Sequence, residues 1–107
     1  MFTNIIVCPW KNGQLKDGVN KGAHVISDII KSKFDYDKYT LIKDNNYTNE
    51  EYHKKVFDEK VLHQGSTLTV GGDHSIAIGS VLSTLCNNPN SCVIWIDAHA
   101  DINTIDS

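Results

Sequence analysis

Cysteine is scarce in this chain and has no paired pattern. Cys8, Cys86 and Cys92 are odd in number and show no C-x-x-C spacing, which excludes a disulfide scaffold and a zinc ribbon and leaves buried structural thiols as the expectation. Long apolar runs are also missing. The opening stretch, Met1 to Val7, has no basic leader and is too short for a secretory core or a membrane span, so a cytoplasmic protein is expected. No one charge sign dominates: the lysines are scattered and the formal charge is -3, which gives nucleic acid no basic face to grip. There is no internal repeat, low-complexity tract or linker, and 107 residues leave no room for a second domain. A composition of 40% hydrophobic and 21% charged residues is that of an ordinary globular core.

What is present alternates between strand and helix patterns. Phe2 to Val7 is a β-branched apolar run stopped by Pro9, which predicts a buried strand followed by a loop holding Gly13 and Gly18. Val19, Ala23, Ile26, Ile29, Ile30 and Phe34 then recur at helical spacing and predict an amphipathic helix lying on the sheet with that stripe inward. Tyr39 to Ile42 reads as a second strand, closed by the polar turn Lys43-Asp44-Asn45-Asn46. Thr48 and Glu51 form a capping box opening a helix that carries Tyr52, Val56, Phe57 and Val61 on one side, with Gly65 placed as a left-handed terminator. Ser66 to Val70 is a third strand. Gly71-Gly72 turns from it into an apolar helix spanning about Ser75 to Leu85. After the turn Asn87-Asn88-Pro89-Asn90, Cys92 to Ile96 reads as a fourth strand. This alternation predicts right-handed crossovers and a mainly parallel sheet, with functional groups gathered at the carboxyl ends of its strands.

Two segments at such strand ends carry the chemistry. In Asp97-Ala98-His99-Ala100-Asp101, the polar side chains fall two apart, so on an extended backbone Asp97, His99 and Asp101 face one way while the alanines face the packing side. Upstream, Gly71-Gly72-Asp73-His74-Ser75 offers His74 as a fourth ligand. Carboxylates with imidazoles suit manganese, iron or zinc, and the absence of thiolate argues against a structural zinc site. Crowded acids repel one another unless a cation removes the conflict. Asp73 is read as a cap of the following helix, and Ser75 likewise, since no G-x-S-x-G context marks it as a nucleophile. His24, His53 and His63 are read as solvated surface groups.

Gly71-Gly72-Asp73-His74-Ser75 together with Trp95-Ile96-Asp97-Ala98-His99-Ala100-Asp101-Ile102-Asn103-Thr104 resembles the first two signature motifs of the ureohydrolase (arginase–agmatinase) family. The continuations Ile76-Ala77-Ile78-Gly79 and Ile102-Asn103-Thr104 resemble arginases more than agmatinases, and Gly18 to Gly22 resembles an early glycine segment of the family, whose usual proline is Ala23 here. The resemblance implies a three-layer α/β fold of the arginase/deacetylase kind, of which residues 1–107 are the N-terminal part of a single domain. It also implies a two-ion manganese site, with His74, Asp97 and Asp101 around one ion and His99 with a bridging Asp97 around the other. By the same resemblance Asn103 contacts the amino-acid part of L-arginine, and Asp101 is the catalytic residue that orients a metal-bridging hydroxide. The implied products are L-ornithine and urea.

The family's later D-x-D motif, its proton-shuttling histidine and the acid that grips the guanidinium do not occur in these 107 residues. The expectation is therefore an inactive N-terminal piece of an arginase-like enzyme, with apolar surface left bare at the edge of a four-strand sheet. Two alternatives stand beside it. One is another ureohydrolase specificity such as agmatinase; the other is a non-catalytic module docking on a ureohydrolase partner or on a complementary C-terminal chain. A homo-oligomer is compatible with each, whereas nucleic acid and membrane are not expected partners.

Overall fold

The computed structural model describes residues 2–13, 18–63 and 65–99, with the backbone alone for Phe2 and Thr3. Three strands, β1 (Phe2–Cys8), β2 (Tyr36–Leu41) and β3 (Thr67–Gly71), form a parallel sheet in the order β2-β1-β3. Helix α1 (Val19–Lys33) crosses from β1 to β2, and α2 (Asn49–Val61) from β2 to β3. A 3₁₀ turn (His74–Ile76) and α3 (Ala77–Asn87) follow β3. Among the described residues no helix is long and apolar enough to cross a membrane.

Strand alternation divides the core between two faces. Ile5 and Val7 pack with Ala23 of α1 and Val70 on one side, while Ile6 and Cys8 pack with Tyr52 and Val56 of α2, Trp10 and Ile42 on the other. Helices thus cover both faces of the sheet, giving the expected three-layer α/β arrangement. Register follows from the same pattern: Ile6 lies beside Thr40 and Thr69, and Asn4 beside Lys38 and Thr67. Burial pushes the Cys8 thiol up to about 12, so this cysteine is the inert packed group expected. Cys86 and Cys92 are instead exposed, because the C-terminal turn of α3 and the segment after it lie uncovered.

Local signals hold well. Thr48 Oγ1 accepts from the Glu51 N–H while Glu51 Oε1 accepts from the Thr48 N–H, completing the capping box. Asn45 and Asn46 turn at positive φ, with Asp44 Oδ1 accepting from the Asn46 N–H. Gly65 has the expected positive φ but lies beyond the end of α2, whose last turn closes at Leu62.

Three expectations are corrected. Cys92 to Ile96 is not a strand but an irregular, largely exposed segment, with Ile94 83% and Ile96 94% accessible. A strand exists through its neighbours, and among the described residues nothing pairs with the outer edge of β3. On α1 the buried line is Ala23 and Ser27, not the full apolar stripe, and Ile26, Ile29 and Phe34 are about half exposed. Small residues at the contact let α1 lie close to β1 and β3, which turns the bulkier apolar groups outward. His53 and His63 are only partly exposed, unlike His24.

His53 lies where α2 meets α3: its carbonyl oxygen would be within 2.5 Å of a Cβ on Gly79, so only glycine lets the helices approach this closely. Its Nδ1 is buried without a hydrogen-bond partner, and burial lowers its pKa, opposed by the nearby Asp73 carboxylate. The unfolded chain therefore takes up this proton first. The His53 contribution to stability is complete above the ordinary histidine value and is lost as pH falls below it. Melting temperatures between pH 8 and pH 5 should fall less steeply for His53→Gln than for the parent, and parallel curves would remove His53 from the account. Thr48→Ala should cost about 1 kcal/mol in urea unfolding, because an orphan N–H of α2 loses its acceptor.

Candidate functional site

Parallel strands place all their carboxyl ends together, and the site is built where β1 and β3 end side by side. The Gly72 and Asp73 N–H groups donate to the Cys8 and Trp10 carbonyls at 2.8 and 2.7 Å, tying the turn after β3 to the loop after β1. A Cβ on Gly72 would fall onto the Trp10 carbonyl oxygen, so the second glycine is required by this close approach. Trp10 is itself held: its ring stacks on Tyr52 at 4.2 Å and its Nε1 donates to Asn49 Oδ1. Tyr52 in turn donates its hydroxyl to the Ile42 carbonyl at 2.6 Å.

Asp73, buried at 3% exposure, works on both sides of this junction. One carboxylate oxygen accepts from the Gly13 N–H at 2.7 Å and the other from the Ser75 N–H and hydroxyl. The capping role read for Asp73 is therefore present, and a long-range tie to Gly13 adds to it. Ser75 is committed to the same carboxylate. The turn leaves the adjacent His74 exposed at the sheet end, with its Nδ1 3.4 Å from Asp97 Oδ2 and its ring stacked on Trp95 at 4.8 Å.

Of the four ligands expected, His74 and Asp97 are brought together and Asp101 lies outside the described residues, as does Asn103. His99 is adjacent but not converged. Asp97 Oδ1 accepts the His99 N–H at 3.0 Å and lies 4.0 Å from His99 Nδ1, while the His99 side chain is 83% exposed. The alternate-facing geometry expected of an extended segment is replaced here by an Asx-type turn over residues 97–99. Among the described residues no three His, Cys, Asp or Glu side chains come close enough to hold an ion. The donor chemistry nevertheless fits a divalent ion. A carboxylate beside the His74 imidazole, with a second imidazole two residues on at His99, is the mixed oxygen and nitrogen chemistry that manganese, iron and zinc accept.

Sequence reasoning did not find Trp10 or Gly13 as parts of this site, nor the stacking of Trp95, a residue of the second motif, on His74. Their contacts join positions up to 60 residues apart, and no local spacing announces them. Gly72→Ala should lower stability by about 3 kcal/mol, since the backbone of the Trp10 loop must move. Urea unfolding of the variant measures this, and an unchanged midpoint would mean that the two loops are not in contact.

A family profile described as the arginase family matches residues 4–107. Arginase-2, mitochondrial, of Rattus norvegicus is 32% identical over 123 aligned residues, covering 94% of this chain and 35% of that protein. The arginase of Glaciozyma antarctica is 32% identical over 126, covering 94% and 36%. The arginase of Saccharomyces cerevisiae is 65% identical over 95, covering 86% and 25%. The chain thus spans between a quarter and about a third of the length of these relatives. No solved structure matches it.

Proposed function

This chain belongs to the arginase family, and on that premise we propose that the protein containing it hydrolyses L-arginine to L-ornithine and urea with manganese. The observation that carries the reading is the Asp97 carboxylate, set between His74 and His99 at the carboxyl end of the sheet. The residues that would hold manganese are His74, Asp97, His99 and Asp101. A divalent ion held there supplies Lewis acidity, which makes hydroxide available from water at neutral pH.

Within that reading the chain's own groups have separate tasks. Asp97 directs Oδ2 towards His74 and Oδ1 towards His99, so one side chain serves both sides of the site. Trp95 supports the face of the His74 imidazole, and Asp73 fixes the turn from which His74 projects. Asp101 orients the attacking oxygen, and Asn103 binds the amino-acid end of the substrate.

The same proposal makes residues 1–107 the N-terminal part of one α/β domain. Two facts support it: the chain covers about a third of most of these relatives, and Ile78, Leu82 and Val93 to Ile96 present apolar side chains to solvent. The remaining part of the domain would cover that surface and complete the ligand set, so the 107 residues by themselves would not turn over arginine.

Steady-state assays of the full-length gene product with manganese, offering arginine and agmatine side by side, test the specificity. Arginine cleavage is expected, and agmatine cleavage without arginine cleavage would refute it. His74→Ala should lower manganese affinity by at least about tenfold, the scale that even indirect supports of a ligand command. Equilibrium dialysis measures that loss separately from turnover.

A further inference from the structure

At the opposite end of the sheet, where β3 begins, a polar cleft of about 410 Å³ opens between the last turns of α2 and α3. Lys60, His63, Thr67, Ser83, Thr84 and Asn87 contribute to its lining, and among the described residues no carboxylate does. Its size falls in the range of small-molecule sites. Thr67 stands in a cross-sheet row with Asn4 and Lys38, all on the α2 side of the sheet. Asn4 is 2% exposed, and neither its Oδ1 nor its Nδ2 has a hydrogen-bond partner.

Lys60 is the charged side chain central to this lining. Lys60 Nζ donates to the Ser80 carbonyl and to Thr84 Oγ1, at 2.8 and 2.7 Å, and both acceptors are neutral. An ammonium has three hydrogens, so one remains for a ligand. Burial lowers the Lys60 pKa. Lys38 Nζ lies 3.2 Å from His63 Nε2, adding a second ammonium beside the cleft. Glu59 lies 3.9 Å from His63 Nε2 and does not contribute to the lining. A role for Lys60 in tying α2 to α3 explains its two hydrogen bonds but not the absence of a counter-charge.

We propose that this cleft binds a small anion through one oxyacid group, carboxylate or phosphate, with the Lys60 ammonium as counter-charge and Thr67 as a neutral hydrogen-bonding group, Asn87 Nδ2 being held by the Val61 carbonyl at 3.0 Å. The site is separate from the His74 and Asp97 end and does not depend on which reaction occurs there. Calorimetric titration of the full-length gene product with inorganic phosphate, and separately with succinate, tests it. At least one probe is expected to saturate in the millimolar range and to protect Lys60 from acylation by acetic anhydride, followed by mass spectrometry. Saturation by phosphate alone or by succinate alone would identify the oxyacid.

Lys60→Met keeps the aliphatic stem and removes the charge, and should weaken binding by about tenfold or more. Thr67→Val, which leaves Lys60 in place, should weaken it several-fold and serves if the first variant does not fold. Failure of both probes to bind, acylation of Lys60 unchanged by a saturating probe, or undiminished affinity in the variants would overturn the proposal.

Discussion

A parallel strand with neighbours on both edges and helices on both faces has no solvent left for its side chains, and β1 meets that condition from Ile5 to Cys8, each wholly buried. Each such aliphatic group contributes roughly 1.5–3 kcal/mol on transfer from water. Register is fixed by the same burial. A slip of one residue would exchange Ile6 and Cys8, packed under α2, with Ile5 and Val7, packed under α1, and both interfaces would have to be rebuilt. Everything else is hung on this strand: β2 and β3 are aligned by it, and the two crossover helices are aligned by them.

The site inherits its geometry from where β1 stops. Because β1 and β3 are parallel neighbours, the chain leaves both at one end, and the Cys8 and Trp10 carbonyls meet the N–H groups of Gly72 and Asp73 there. Stacking of Trp10 on Tyr52 carries this junction down into α2, so core packing and site placement are one construction. His74 is exposed, yet the residue before it is among the most buried polar groups in the molecule. A side chain on a surface loop keeps its position only through a rigid support, and Asp73 supplies one for His74 through partners on both loops.

How much of this could be read from residues alone depends on the range of the interaction that decides each feature. The capping box at Thr48, the Asn45-Asn46 turn and the three observed strands are settled by near neighbours and by period, and they were legible. Cys92 to Ile96 has the composition of a strand, but strand formation there depends on an edge to pair with and a layer to lie under. The stripe on α1 failed for a related reason: periodicity locates an apolar face, while close packing selected the smaller residues Ala23 and Ser27 for the contact. In the site, motif spacing pointed to His74 and Asp97 and to the cap at Asp73. Gly13 and the stacking of Trp95 on His74 could not be found that way, since what brings them there is topology.

The two ends of the sheet carry different sets of polar groups. At the carboxyl end, the Asp97 carboxylate lies beside the His74 imidazole; at the amino end, Lys60 and His63 line the cleft with Thr67, and among the described residues no acid lines it. Antiparallel strands would mix such groups, because each turn returns the chain to the other end. Parallel crossovers instead deliver every strand start to one side and every strand finish to the other, with a helix between. The cleft and the metal-type residues can then be held at the two ends of one strand, β3, whose five residues run from Thr67 to Gly71 and keep the two regions apart.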